Sequence, residues 1–220
     1  MTIKGFIWYQ GETNSSPDRA PYYKSLFSAL IGDWRMHFTQ GNLPFLYVQI
    51  STFSSPHEDW GTIRDAQRRT LDVANTAMAV TLDIGDVNNV HPSDKQSVGT
   101  RLALAARHLV YGEAVVSTGP LYRETTREIN DDGSSSLRVW FDDAHGLTSK
   151  GAPLTAFEIA GPDHRFAAAT AHIDGETVLV GSPQVPHPAY VRFGWSGVVE
   201  VSLYNATNLP ASTFASDLVP

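Results

Sequence analysis

Two polar stretches of the chain carry the residue types that an acyl-transfer site needs. Residues 10–14 contain amide and carboxylate side chains, and residues 83–91 contain two carboxylates and end at His91. In acyl transfer a histidine acts as the general base, a carboxylate orients it, and amide N–H groups stabilise the oxyanion. The sequence therefore predicts this chemistry if the two stretches meet in space.

Each candidate side chain also has a purely structural interpretation. His91 precedes a proline and a helix start, where a single histidine is most often a cap or a surface residue. Gln10 and Glu12 equally suit a buried amide and carboxylate that hold a loop by hydrogen bonds. Asp86 either orients His91 or accepts hydrogen bonds from the backbone N–H groups of its own turn.

Three apolar runs, each followed by a helical pattern, must position these stretches. The predicted strands cover residues 3–9, 44–50 and 77–82, and the predicted helices cover 21–38, 60–74 and 93 or 94 to 111. Repeated strand–helix units indicate a parallel α/β sheet with right-handed crossovers. Because ligands bind at the carboxyl ends of such strands, we expect residues 10–14, 49–55 and 83–91 at one sheet edge.

The second half of the chain has a different pattern. Beyond Gly112, Pro and Gly turn signals recur every 8 to 12 residues between short alternating runs, and Asp174-Gly175 suits a hairpin turn. This pattern predicts a small antiparallel β unit. We therefore expect an α/β domain over residues 1–115 and a β-rich domain over residues 116–220.

Composition narrows the range of functions. The formal net charge of -7 argues against nucleic acid as a partner, and no apolar run is long enough to span a membrane. The absence of cysteine excludes a thiolate nucleophile and a Cys-ligated zinc site. There is no His-x-x-x-His spacing and no Gly-rich phosphate loop, so no metal or cofactor is expected. The composition leaves the cellular compartment open.

Four segments resemble one esterase family. Residues 5–14, Gly-Phe-Ile-Trp-Tyr-Gln-Gly-Glu-Thr-Asn, are similar to the Trp-Tyr-Gln-Gly-Glu-Ser-Asn block of the sialate O-acetylesterase branch of the SGNH hydrolases, a group that includes acetyl xylan esterases. Residues 83–103, with Val-His-Pro followed by Lys-Gln and Gly-x-Arg-Leu-Ala, resemble its histidine block. Residues 151–161 and 203–212 resemble its tail, so the resemblance covers nearly the whole chain.

The resemblance implies a partial flavodoxin-like sheet and a carbohydrate O-acetylesterase that needs no cofactor. Its substrate would be an acetyl ester on a sialic acid or xylan-type sugar, cleaved through an acyl-enzyme. His91 would be the base, Gln10 an oxyanion-hole donor, and Glu12 a brace for the loop or the histidine. The third triad member would be Asp86, a backbone carbonyl or nothing, because Asn88 and Asn89 stand where related enzymes carry an aspartate. We prefer Asp86.

The chain departs from the family at the nucleophile. The family's serine lies in a Gly-x-Ser-Asn block on an earlier strand, and no segment here corresponds to it. We therefore expect either a fragment of a larger esterase or a homo-oligomer in which a second copy covers the unpaired sheet edge. Ser51, Ser54 and Ser55 are weaker substitutes, because their loop lacks the strained turn that presents a nucleophile. The alternative function is a catalytically inactive carbohydrate-binding or structural module.

Overall fold

The computed structural model describes residues 2–218, which form two compact units that divide between Thr118 and Gly119. The first unit is a three-stranded parallel sheet in the order β1-β2-β3 with helices around it. The strands are β1 (Phe6–Trp8), β2 (Phe45–Gln49) and β3 (Thr76–Val80), and the helices are α1 (Tyr23–Phe38), α2 (Trp60–Arg69) and α3 (Lys95–Leu109). The α/β class expected from the sequence is confirmed.

Several predicted boundaries differ from those in the structure. Pro21 belongs to a 3-10 turn, Ala20–Tyr22, that precedes α1. The helix α1 ends at Phe38, as predicted, and Thr39 after it takes a left-handed conformation with φ of 50°. The helix α2 ends at Arg69 and continues only as a 3-10 turn, Thr70–Asp72. At α3 the predicted cap is confirmed, since the Asp94 carboxylate accepts a hydrogen bond from the backbone N–H of Ser97.

Both faces of the sheet are packed against helices. An aromatic cluster joins the sheet to α1. The ring centroid of Phe27 lies 5.7 Å from that of Phe45 and 5.0 Å from that of Tyr47. On the other face Val48 and Ala79 pack against Val98 of α3. The central strand β2 is buried along its whole length. This rigid sheet fixes where the three loops at the carboxyl ends of the strands begin.

The strand β1 is an edge strand among the residues that the structure describes. It pairs with β2 on one side, from Phe6 opposite Phe45 to Trp8 opposite Tyr47. Ile7 exposes 70% of its surface. A homo-oligomer formed through this edge stays a prediction.

The second unit consists of two four-stranded antiparallel sheets. One has the order β4-β5-β9-β8 and the other the order β11-β10-β6-β7. The strands are β4 (Leu121–Ile129), β5 (Ser135–Asp142), β6 (Phe157–Ala160), β7 (Ala167–Ala168), β8 (Thr170–Asp174), β9 (Thr177–Gly181), β10 (Tyr190–Phe193) and β11 (Phe214–Ala215). A single apolar cluster that includes Val139, Val178 and Phe193 forms its core. The predicted antiparallel character is confirmed, and Asp174 and Thr177 pair at the hairpin expected there.

None of the helices within residues 2–218 is long and apolar enough to cross a membrane.

Candidate active site

A cavity of about 530 Å³ lies in the α/β unit where the loops after the three strands meet. Glu12 comes from the loop after β1, Phe53 from the loop after β2, and His91 from the loop after β3. The two stretches singled out in the sequence therefore line one site. The remaining wall residues are Tyr9, Thr13, Ser55, Glu58, Trp60, Val90 and Lys95.

Close backbone packing ties the loop after β3 to the loop after β2. A Cβ atom on Gly85 would lie 2.4 Å from the carbonyl oxygen and 2.5 Å from the backbone nitrogen of Thr52, so only glycine fits there. The Thr52 hydroxyl donates to the carbonyl oxygen of Leu82 at 2.8 Å. The backbone N–H of Ser54 donates to the carbonyl oxygen of Val87 at 3.0 Å. These contacts fix the loop that leads to His91.

Gln10 is held by hydrogen bonds behind the cavity. Its Nε2 donates to Oδ1 of Asn14 at 2.7 Å, and the Tyr23 hydroxyl lies 3.2 Å from its Oε1 and 3.0 Å from its carbonyl oxygen. Nε2 of Gln67 also donates to that carbonyl oxygen at 3.0 Å. Among the described residues Gln10 does not line the cavity, so these bonds match its structural interpretation. The oxyanion role of Gln10 stays a prediction.

The Glu12 side chain faces the cavity from a short 3-10 turn, Glu12–Asn14. Its backbone carbonyl accepts a hydrogen bond from the Ser15 hydroxyl at 2.5 Å, which holds the turn. Within residues 2–218 its carboxylate forms no hydrogen bond or ion pair. The carboxylate is therefore available to a ligand, and its bracing role stays a prediction.

His91 is exposed and presents its imidazole to the cavity. Its backbone N–H donates to Oδ1 of Asn89 at 2.9 Å, which fixes the corner before the buried Pro92. In the part of the chain that the structure describes, no carboxylate pairs with the His91 ring. The imidazole is thus accessible to a substrate hydroxyl or to a further residue.

The structure matches the second interpretation of Asp86, in which its carboxylate accepts a hydrogen bond within its own turn. Its Oδ1 accepts a hydrogen bond from the backbone N–H of Asn88 at 2.8 Å, so the carboxylate closes its own exposed turn. A contact with His91 is not formed in this arrangement. A role for Asp86 in orienting the histidine stays a prediction.

An ion pair anchors the start of the same loop to α3. Arg101 donates from Nη1 to Oδ1 of Asp83 at 2.6 Å and from Nη2 to Oδ2 at 2.8 Å. Nη1 also donates to the carbonyl oxygen of Val80 at 2.6 Å. The side chains of Arg101 and Asp83 are only 11% and 14% exposed. Because this two-point pair spans the loop that carries His91, it sets the position of the candidate base.

A comparison with known families identifies the kind of fold that the α/β unit has. A family described as carbohydrate esterase, sialic acid-specific acetylesterase, matches residues 1–108, which fall within the α/β unit. Over residues 1–108 the chain is similar to this carbohydrate esterase family. The resemblance inferred from the sequence is confirmed.

Individual relatives support the same assignment. The sialate O-acetylesterase of Mus musculus is 37% identical over 142 residues, which cover 55% of this chain and 26% of that protein. The Homo sapiens sialate O-acetylesterase is 39% identical over 142 residues, with 55% and 27% covered. A crystal structure of a carbohydrate acetylesterase from Xanthomonas citri superposes with a TM-score of 0.92 at 38% identity, covering 99% of this chain and 51% of that chain. This chain spans about a quarter of the length of those curated relatives and about half of that solved chain.

Two charged wall residues of this carbohydrate esterase fold were not expected from the sequence. Glu58 lines the cavity, and its Oε2 lies 2.9 Å from the Ser15 hydroxyl oxygen. Lys95 lines it from the first turn of α3, with Nζ 5.2 Å from the ring centroid of Tyr9. A cation at a helix N-terminus is destabilised by the helix dipole. This unfavourable position of Lys95 is the feature of the sequence that indicates a functional role for it.

The serines after β2 differ in their access to the site. Ser51 is buried, and its carbonyl oxygen accepts hydrogen bonds from Nε1 of Trp60 and Nη2 of Arg64, both at 2.8 Å. Ser54 is exposed and lies outside the described cavity wall. Ser55 lines the cavity, as His91 does. Of the three candidates, Ser55 alone therefore shares a wall with the candidate base.

Proposed function

We propose that the cavity of the α/β unit is the acyl-transfer site of a carbohydrate O-acetylesterase, with His91 as the general base. The observation that supports this most is the meeting of Glu12 and His91 in one cavity of a carbohydrate esterase fold. The aromatic walls formed by Tyr9, Phe53 and Trp60 suit the apolar face of a sugar ring. The substrate is an acetyl ester on a sialic acid, as the names of the sialate O-acetylesterases suggest, or on a xylan-type sugar, as the resemblance of the sequence implies.

The reaction follows from the properties of an exposed imidazole. His91 takes the proton of a serine hydroxyl, and the serine oxygen attacks the acetyl carbonyl carbon to form a tetrahedral oxyanion. Collapse breaks the bond to the sugar oxygen, which leaves with the proton from the imidazolium. Water, deprotonated by the same imidazole, then releases acetate and restores the serine.

Oxyanion stabilisation in this scheme comes from amide donors next to the β1 loop. The NH2 group of Gln10 carries two hydrogens, and its bond to Asn14 uses one of them. The second would reach a tetrahedral intermediate only if the side chain turned towards the cavity, whose wall Gln10 does not line in this arrangement. The donating role of Gln10 therefore belongs to a substrate-bound arrangement of the β1 loop.

The nucleophile is either Ser55 or a serine from outside this sequence. Ser55 lines the cavity, which favours it over Ser51 and Ser54. The family resemblance instead points to an upstream serine block. Labelling the full chain with a fluorophosphonate and locating the adduct by mass spectrometry separates these two sources. An adduct on Ser55 that is lost in Ser55→Ala identifies the internal nucleophile, and the absence of an adduct excludes Ser55.

The experiment that tests the function follows acetate release by NMR. The full chain is incubated with acetylated xylan and with O-acetylated sialic acid, and His91→Ala is compared with His108→Ala, an exposed histidine of α3 outside the described cavity wall. Loss of a general base lowers the rate about 10²- to 10⁴-fold, so His91→Ala should lose this factor and His108→Ala should not. Equal rates in both variants would contradict the role of His91.

A non-catalytic carbohydrate-binding module is the second candidate function. It is favoured by the exposed His91 ring, which has no carboxylate partner within residues 2–218. Such a module would bind the acetylated sugars without releasing acetate and would not react with the fluorophosphonate.

A further inference from the structure

The β-rich unit contains a cavity of about 510 Å³ of its own. It lies between the segment 161–166, which joins β6 to β7, and the segment 182–187, which joins β9 to β10. Phe166, Val185 and Pro186 provide its apolar surface. Asp163, Arg165, Gln184 and His187 provide its polar groups.

The aromatic wall of this cavity is held in a fixed position. The guanidinium carbon of Arg192 lies 4.0 Å from the centroid of the Phe166 ring. Arg192 is itself fixed by Glu158, with Nε–Oε2 and Nη2–Oε1 distances of 2.9 and 3.2 Å. An aromatic ring fixed before binding loses little conformational entropy when a ligand packs on it.

The segment beside Phe166 is anchored as well. The imidazole of His164 stacks on Tyr190 with centroids 4.3 Å apart, and its Nδ1 lies 3.0 Å from Oδ2 of Asp217. The Asp163 Oδ1 accepts a hydrogen bond from the backbone N–H of Arg165 at 3.2 Å. The polar groups at the rim are therefore presented from an ordered loop.

The polar groups of the cavity match a neutral polyol better than an ion. Asp163 repels an anion and Arg165 repels a cation, and their side chains lie 3.8 Å apart. Together with the Gln184 amide they offer donors and acceptors side by side, which is what adjacent sugar hydroxyls require. The apolar face of a sugar ring matches the Phe166 ring.

We propose that this cavity is a binding site for a neutral oligosaccharide, built on Phe166, Asp163, Arg165 and Gln184. This site acts by binding alone, and it stands whether or not the cavity of the α/β unit cleaves esters. In an esterase that acts on sugar polymers, it would hold the chain while acetyl groups are removed.

The test is an NMR titration of the full chain with xylohexaose and with cellohexaose, and with hexagalacturonate as the anionic counterpart. A neutral hexasaccharide should shift the amide signals of residues 161–166 and 182–187, and hexagalacturonate should bind about tenfold more weakly, equivalent to roughly 1.4 kcal/mol. No shift at these amides with either neutral sugar overturns the proposal. Tighter binding of hexagalacturonate overturns it too.

Variants assign the binding to this cavity. Phe166→Ala should weaken binding about tenfold or more, as expected for an aromatic anchor, and the exposed Gln184→Ala should weaken it roughly three- to tenfold. Trp140→Ala is the matched control, because Arg123 lies over the Trp140 ring at 5.7 Å on a strand outside the cavity wall. If Phe166→Ala fails to fold, Gln184→Ala decides. Unchanged affinity in Gln184→Ala, or a loss with Trp140→Ala alone, refutes the assignment.

Discussion

Asp83 and Arg101 form a two-point ion pair, with oxygen–nitrogen distances of 2.6 and 2.8 Å, that ties the end of β3 to α3. The loop closed by this pair carries His91. The candidate base therefore depends for its position on a pair of charges that lie mostly out of solvent.

Removing one partner of this pair should be costly. In Asp83→Asn a largely buried guanidinium loses its carboxylate, and breaking such a pair costs about 3 kcal/mol of unfolding free energy. The matched control is Glu113→Gln, which breaks the exposed pair with Arg107, where the side chains are 44% and 50% exposed, and should cost less than about 1 kcal/mol. Urea unfolding of both variants measures the difference. Equal losses of unfolding free energy in the two variants would show that the Asp83–Arg101 pair stabilises the fold no more than an exposed ion pair does.

The contact between Gly85 and Thr52 gives a second prediction. Gly85→Ala places a methyl group against the Thr52 backbone and should destabilise the α/β unit by about 2 kcal/mol and displace the loop before His91. Gly99→Ala is the control, because a Cβ there meets nothing within 4 Å on the helix α3. That change should stabilise the unit by roughly 0.5–1 kcal/mol. Thermal unfolding measures whether each variant is less or more stable than the wild type. Unchanged stability in Gly85→Ala would contradict the close approach of Gly85 to Thr52.

Tyr23 makes stability depend on alkaline pH. Burial raises the pKa of the Tyr23 phenol from 10.0 to about 12. A raised folded-state pKa means that this stability is fully present below pH 10 and is lost as the pH rises towards 12. The wild-type chain should therefore lose about 2 kcal/mol more than Tyr23→Phe between these pH values.

Guanidinium unfolding of the two proteins at several pH values measures that difference. Tyr23→Phe should be less stable below pH 10, because the hydroxyl no longer donates to Gln10. Parallel pH profiles for the two proteins would show that the phenol is not held neutral by burial.

Asp86 offers a test between its two interpretations. An asparagine keeps the side-chain oxygen that accepts from the Asn88 N–H, so Asp86→Asn should preserve the turn. If the turn is its only role, acetate release should change by less than about threefold. A fall of about 10⁴-fold, as for loss of a carboxylate that orients a catalytic histidine, would instead place Asp86 beside His91 during catalysis.

The sequence was most informative where a periodic pattern met a turn signal. The apolar run of residues 44–50 and the Asp94 cap before α3 predicted strand and helix well, because local chemistry decides both. The end of α1 at Phe38 was predicted, whereas α2 ends at Arg69 and continues only as a 3-10 turn within the range that the pattern assigned to the helix. Backbone conformation at a helix end depends on what packs next to it.

The site was only partly predictable for a related reason. His91 and Glu12 were found because parallel strands bring their carboxyl ends to one edge. Glu58 was missed because its place in the wall depends on a tertiary contact with Ser15, and Lys95 because its position at a helix N-terminus does not show that it contacts Tyr9. The cavity of the β-rich unit joins the loop between β6 and β7 to the loop that crosses from β9 in one sheet to β10 in the other, so its lining was not visible in the sequence either.

The most direct test of His91 as the base is chemical rescue. His91→Gly removes the imidazole and leaves a space in the cavity wall, into which added imidazole can diffuse. Acetate release from acetylated xylan, measured by NMR, should be lost in His91→Gly and should rise again with imidazole concentration. His108→Gly should hydrolyse the substrate normally and show no response to imidazole. Undiminished hydrolysis by His91→Gly without imidazole would contradict the account.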